Sequence, residues 1–298
     1  MQITPQSLTA LAQGFNAAFL QGFESAQSSY QQIAMTIPST GSAENYGWMK
    51  DLPGMREWAG QRVIHNLEAT TAQLVNKHWE HTIGVSVDDI EDDKLGIYST
   101  IFKQQGEIAS RHPDDLVWGL LAKGFDVAGF DGQPFFDADH AGFDRVGKEA
   151  SWSNVQTGSA APWFLFDLSR NYLKPLIFQS RKAVQFTQKN RREDDNVFLE
   201  NTYLFGADAR YVAGFGFHQL AFGSTDSLTE ANYEAARLAL FTQFRPDGSP
   251  LAVRPTHLVV GSSNEAAARK LLEAELTGGG NTNIWRGSAQ LIVSPWLV

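Results

Sequence analysis

Tyr46-Gly-Trp-Met-Lys-Asp-Leu-Pro-Gly54, then Arg62-Val-Ile-His-Asn-Leu67, then Leu74-Val-Asn-Lys-His-Trp-Glu-His-Thr-Ile-Gly-Val-Ser-Val87, closing on Asp88-Asp-Ile-Glu-Asp-Asp93, is the stretch whose reading decides the fold. Arg62 to Leu67 and Ala72 to Val87 alternate polar with apolar residues and are rich in Val, Ile, Thr and Trp, as strands are, and Glu68-Ala-Thr-Thr between them can turn the chain. The pattern predicts a long β-hairpin, reaching roughly 33 Å at about ten residues per strand. A two-stranded ribbon alone is marginally stable in water. It needs a surface to lie on, and a second copy of the chain can supply one.

Working outward, Thr4-Pro5 opens an amphipathic helix with Leu8, Leu11, Phe15, Ala18, Phe19 and Phe23 on one face, weakened by Gly14 and Gly22. That helix either docks on its own domain or serves as an arm to a neighbour. On the other side, the acids Asp88 to Asp93 suit the N-terminus of a long helix running to Gly124, with Pro113 either kinking it or starting a second one. Phe125 to Ser159 is loop-rich. Pro162 to Val184 reads as two central strands broken at Lys174-Pro175, and Gly206 to Phe222 as an edge or bulged strand with Gly214 and Gly216. Capping boxes at Ser227…Glu230 and Ser262…Glu265 announce two helices, the second ending near Gly278. Strands follow at Thr256 to Gly261 and at Ala289 to Leu297. Helix, strand, helix and strand in this last third form a mixed α/β unit with short connections, within a chain whose overall class is expected to be α+β.

A chain of 298 residues with 43% hydrophobic residues, 20 Phe and 8 Trp has ample material for a core. Its net charge of −9 disfavours proteins that read nucleic-acid sequence. With no cysteine there is no disulfide framework, thiolate metal site or cysteine nucleophile. Met-Gln-Ile-Thr-Pro lacks the basic region of a signal peptide, and no apolar run is long enough to span a bilayer, so a soluble cytoplasmic chain with no membrane partner is expected.

Candidate chemistry is sparse. Asp137, Asp139 and His140, with Asp131 and Asp144 nearby, could hold a divalent cation and would support a metal-assisted hydrolase, but the calcium-loop spacing is absent. His78-Trp-Glu-His81 lacks the His-Glu-x-x-His order of zinc proteases, and on a strand the two imidazoles face opposite ways. Gly214-Phe-Gly-Phe has no third glycine, and no phosphate-binding loop or nucleophile elbow occurs. The basic run Arg181-Lys182 to Arg191-Arg192 reads as a solvated face or as a patch touching nucleic-acid backbone. No catalytic residue, cofactor or metal is assigned.

Trp48-Met-Lys-Asp-Leu-Pro with Trp58 and Arg62, Asn76-Lys-His-Trp-Glu, Ile90-Glu-Asp-Asp-Lys-Leu-Gly, Phe130-Asp-Gly-Gln-Pro-Phe-Phe-Asp, Lys174-Pro-Leu-Ile-Phe-Gln, Asp247-Gly-Ser-Pro-Leu, Pro255-Thr-His-Leu-Val-Val and the closing Leu-Ile-Val-Ser-Pro-Trp-Leu resemble, in order and across almost the whole chain, the Mu-like phage major head subunit family. The resemblance implies a Hong Kong 97-type capsid fold. It would comprise an N-terminal arm (1–40), an extended β-hairpin loop (41–88), a peripheral domain with a long spine helix (89–160), an axial domain (161–285) and a C-terminal strand (286–298). It implies hexamers and pentamers of an icosahedral head assembled in the host cytoplasm. The partners implied are other copies of the chain, packaged double-stranded DNA held without sequence readout, and scaffold, portal and decoration proteins. A tail or scaffold structural protein is the alternative within the same structural class. Trp48, Trp58, Arg62 and Trp79 are the expected intersubunit contacts, since Trp and Arg most often anchor interfaces. Lys50 and Lys77 lie in the loop region without an evident crosslinking partner, so assembly is expected to be noncovalent.

Overall fold

A computed structural model of the chain describes residues 4–46, 73–92, 95–170 and 172–297. Helix α1 (Pro5–Ser25) starts as its sequence dictates: Thr4 caps the Ser7 amide, Ser7 returns the bond to the Thr4 amide, and proline takes the first helical position. Strands β1 (Ala34–Pro38), β2 (Ala43–Asn45), β3 (Gln73–Val75) and β4 (Lys77–Ser86) follow, then α2 (Val87–Glu91) and the long α3 (Leu95–Ala122). Next come β5 (His140–Phe143), β6 (Glu149–Trp152), β7 (Val155–Gln156), β8 (Trp163–Phe166), β9 (Leu176–Lys189), α4 (Asp195–Glu200) and β10 (Thr202–Phe215). The last elements are β11 (Ala221–Ser224), α5 (Glu230–Phe241), β12 (His257–Val260), α6 (Ser262–Leu272) and β13 (Gln290–Val293).

Two sheets organise these elements. One has the order β1-β9-β10-β4, with β1 parallel to β9 and the other pairs antiparallel. The other has the order β13-β12-β8-β11-β7. Strand β8, Trp163-Phe-Leu-Phe166, is buried at every position because both faces of its sheet are covered. Trp163 and Leu165 join the core under α5 and α6, and Phe164 and Phe166 join the one against Val117, Trp118 and Leu121 of α3. A third core lies where α1 crosses α3 beside the four-stranded sheet. There Phe15 stacks on Phe102 with 4.3 Å between ring centroids and meets Phe205 edge-on.

The structure corrects several expectations. Residues Lys77 to Ser86 pair along their length with Tyr211 to Thr202 of the same chain, so among the described residues β4 is the edge strand of the four-stranded sheet. Its alternation has a local cause. Ile83 and Val85 pack in the core formed with α1 and α3, and Trp79 packs on the core beside α3. Arg62 to Leu67 lies outside the described residues. The acids at Asp88 and Asp89 occupy the first turn of α2, capped by Ser86, so they do not open the long helix. Asp89 instead ties α2 to α3 by accepting the Tyr98 hydroxyl at 2.6 Å.

Pro113 neither ends α3 nor starts a new helix; it lies inside one continuous element. The N-terminal helix docks on its own chain. Gly22 and Gly106 sit where a Cβ would collide with the backbone of the opposing helix, at Lys103 and Phe19 respectively. Strands β8 and β9 belong to different sheets, and β10 is bulged near Asp208 and Arg210 but interior. Helix α5 is capped by Thr229, not Ser227. Helix α6 starts directly after Gly261, whose backbone touches Leu297, and it stops at Leu272 where the Asn283 amide takes up the carbonyls of Leu271 and Ala274.

Candidate assembly surface

The described residues on either side of 47–72 meet at one place. Asn45 pairs with Gln73 and Ala43 with Val75 in the β2–β3 ladder. Beneath that short ladder lies a buried polar knot. The Gln179 amide of β9 accepts the Tyr46 hydroxyl at 2.7 Å and donates to Asn76 Oδ1 at 2.8 Å and to the Leu74 carbonyl at 3.2 Å. Asn76 donates to Ser39 Oγ at 2.8 Å and to the Gly41 carbonyl at 3.1 Å. Ser39 Oγ in turn donates to Glu44 Oε1 at 2.9 Å, which also accepts the amides of Thr40 and Gly41.

Gln179, Asn76, Ser39 and Tyr46 are all buried. A buried network of this kind holds one geometry because each amide and hydroxyl is answered by another. Its electrostatics follow from the same contacts. Burial pushes the Tyr46 phenol up to about 12, and the Gly41 and Thr40 amides hold the Glu44 carboxyl below its ordinary value.

Sequence reasoning missed this knot, although its signal was present. Asn76 opens one of the motifs and Gln179 closes another, and a polar residue ending the run Leu176-Ile-Phe is a candidate for a buried partner.

Of the expected contact residues, Trp48, Trp58 and Arg62 lie outside the described residues. Trp79 is half-buried. Its indole N–H donates to the Tyr211 carbonyl at 2.9 Å and its ring meets His112 at 4.5 Å, while the surface around it forms an apolar groove with Ile108, Ala109 and Val184. Burial lowers the His112 pKa, favouring its neutral ring, and Nδ1 lies 2.7 Å from the Tyr211 hydroxyl. Large apolar side chains stand exposed elsewhere, among them Phe198 and Leu199 on α4 at 83% and 75% exposure. These are side chains that a partner surface would cover. Of the basic run, Lys182 is ion-paired with Asp208, whereas Arg181, Arg191 and Arg192 are exposed.

Asp137, Asp139 and His140 do not converge. Asp137 accepts its neighbour's amide, Asp139 accepts the Gln133 side chain, and His140 is buried with Nδ1 2.7 Å from Asp131 Oδ2. The residue that joins Asp131 and His140 is His218, which carries no spacing signal in the sequence. Burial, reinforced by His140, pushes the His218 imidazole down to about 3.

The sequence matches the family described as Mu-like prophage major head subunit gpT over residues 8–297. The chain belongs to this family. It is 40% identical to the major capsid protein of Escherichia phage Mu, with the whole of both chains covered. It is 39% identical to the Mu-like prophage FluMu major head subunit of Haemophilus influenzae, covering 92% of this chain and 91% of that one. Among solved structures it is similar to the procapsid subunit of bacteriophage JBD30, with a TM-score of 0.85 at 38% identity, covering 99% of this chain and all of the other. It is also similar to the JBD30 capsid subunit, with a TM-score of 0.80 at 30% identity and full coverage of both.

The fold is therefore that of a Hong Kong 97-type capsid subunit, α+β, and the protein is a major capsid protein of a tailed phage, a component of the virion head. Members of this family are structural and not enzymes, so the hydrolase alternative on Asp137, Asp139 and His140 falls away. The tail-or-scaffold alternative falls away with it.

Proposed function

We propose that copies of this chain close into hexamers and pentamers of an icosahedral head around double-stranded DNA, with residues 47–72 making contact with the adjacent copy. The observation that carries this reading is the loop base. The described residues on either side of 47–72 are paired and pinned at one fixed point by Asn76, Gln179 and Tyr46, which suits the base of an intersubunit tie. Many such modest contacts, repeated by symmetry, sum to a stable shell. Trp48, Trp58 and Arg62 are the proposed anchors, with Trp79 and its groove as a second contact region. Helix α3 is the spine of the peripheral domain, and the five-stranded sheet with α5 and α6 forms the axial domain.

One solved relative is a JBD30 capsid decorated with minor capsid protein trimers, with a TM-score of 0.78 over 92% of this chain. A decoration partner, a scaffold and a portal belong to the proposal for this chain as well. Exposed Arg181, Arg191 and Arg192 are its candidates for touching DNA backbone, without reading sequence.

Electron microscopy of the expressed full chain tests the proposal: closed heads are expected, and open tubes or isolated rings would contradict it. Trp58→Ala and Arg62→Ala should abolish closed heads while the subunit's circular dichroism stays unchanged. Normal heads from both variants would remove the loop contact.

A further inference from the structure

Asp131, His140 and His218 come from three distant places: the loop after α3, the first residue of β5, and the turn between β10 and β11. The two imidazoles lie face to face, with 3.9 Å between centroids and 8° between planes, and Phe130 stacks on His218 in turn at 4.9 Å. Trp152, opposite His140 in the β5–β6 ladder, stands 6.0 Å from both rings. This stack is the seam between the base of the β5–β6 hairpin and the turn leading into the five-stranded sheet. The far end of the hairpin rests on the turn after α5, with Arg145 over the Phe244 ring and Gly147 so close to the Pro246 carbonyl that a Cβ would collide.

The side chains of His140 and His218 are 0% and 4% exposed, and they share one carboxylate. Asp131 Oδ2 lies 2.7 Å from His140 Nδ1 but 3.6 Å from His218 Nδ1, beyond hydrogen-bond reach. Neither ring nitrogen of His218 has a hydrogen-bond partner. An imidazolium carries two N–H donors and a full charge. Protonating His218 in place would bury that charge and both donors unanswered, between a phenyl ring and a second imidazole. The neutral ring sits there as one more aromatic, at far lower cost.

We propose that this stack is an acid-release latch: with His218 neutral it fastens the base of the β5–β6 hairpin to the β10–β11 turn, and a proton on His218 separates the rings and frees the hairpin base. The titratable groups that act on His218 are His140 and Asp131. The loop after α3 otherwise presents Phe130, and β6 presents Trp152. Asp137 and Asp139 are turned to the Ala138 amide and the Gln133 side chain, and Asp144, Lys148 and Glu149 lie at the far end of the hairpin.

The direction follows from burial. Burial, with His140 adding to it and Asp131 opposing, lowers the folded His218 pKa from 6.5 to about 3. Its stabilisation is therefore complete above the unfolded value and is lost as pH falls from 6.5 toward the folded one. Asp131 stays ionised across that window: burial alone would raise its carboxyl, but the His140 bond and both imidazoles hold it below its ordinary 3.8. From His218 alone, opening should rise about tenfold per pH unit below 6.5, or roughly thirtyfold by pH 5.

Hydrogen exchange of the full chain, read by mass spectrometry with labelling times scaled to the intrinsic rate at each pH, tests the latch. Peptides covering 138–143 and 149–156 should lose roughly thirtyfold in protection between pH 8 and pH 5, while peptides containing Phe15 and Phe102 keep theirs. His218→Phe keeps an aromatic ring in the stack and cannot take up a proton, so the hairpin should stay protected throughout. His218→Gln provides the same comparison where phenylalanine does not fit. Unchanged wild-type protection of the hairpin overturns the proposal. So does an acid-induced loss that persists in a folded His218 variant, because another group would then be titrating.

Discussion

Where α1 crosses α3, two helices touch through glycine and phenylalanine, whereas at the loop base strands meet through two amides, a phenol and a carboxylate. Each junction fastens a segment to the body of the subunit. The helix crossing depends on the absence of atoms: Gly22 and Gly106 let the two backbones come together. The loop base depends on their presence, since one Gln179 amide bonds Tyr46, Asn76 and the Leu74 carbonyl together. Adding a methyl group should therefore break the first, and removing polar atoms should break the second.

The largest effect is expected from Gly106→Ala, whose Cβ would be driven into the Phe19 carbonyl and force the helices apart. Backbone has no rotamer with which to yield, so the cost should reach about 3 kcal/mol or more in urea unfolding of the unassembled subunit. Gly14→Ala, on the other helix of the pair, is the control with the opposite sign. Nothing lies within 4 Å of the new atom there, and alanine should stabilise α1 by about 0.8 kcal/mol. If both glycines respond alike, the crossing is not the close contact described here.

Next in size is Gln179→Leu, which keeps the volume and removes the amide. It removes the acceptor of the Tyr46 hydroxyl and the donor to the buried Asn76 Oδ1, at a cost of about 2 kcal/mol. Asn76→Ala in the same background should add much less than it costs alone, because both changes dismantle one network. Additive effects in this double-mutant cycle would mean that the two amides act separately.

The two junctions also differ in how far the sequence revealed them. Helix α1 was legible because its signals are local: Thr4-Pro5 at its start and a Phe15/Phe19 face at helical spacing. Gly22 was read as a weakness, since propensity is a local quantity and the helix it contacts lies some eighty residues on. The loop base was illegible for a related reason. Gln179 and Asn76 are 103 positions apart, and only the sheet brings them together.

The alternation in Lys77 to Val87 did identify a strand, but period 2 says which face is buried and not against whom. Its partner turned out to be β10 of the same chain. Asp131 and His140 were visible as a loop cluster, while His218 was hidden in the aromatic run Phe215-Gly-Phe217, where a lone histidine carries no spacing signal.

The smallest effect separates the junctions by pH. Glu44 Oε1 accepts from the Gly41 and Thr40 amides and from Ser39, and these bonds hold its folded pKa below the ordinary 4.5. A carboxyl with a depressed folded pKa contributes its stability fully above the unfolded value and loses it as pH falls through the folded one. Glu44 is only half-buried, at the solvent side of the knot, so global unfolding should barely register the change. The response should be local. Below pH 4.5 the hydrogen-exchange protection of the Thr40 and Gly41 amides should fall, while α1 amides at the Phe15–Phe102 contact keep theirs, because that contact contains no carboxylate. Glu44→Gln should remove the pH dependence of those two amides. If α1 loses protection over the same pH range, the two junctions open as one unit, and the contrast between an apolar and a polar fastening would have no bearing on how the subunit yields.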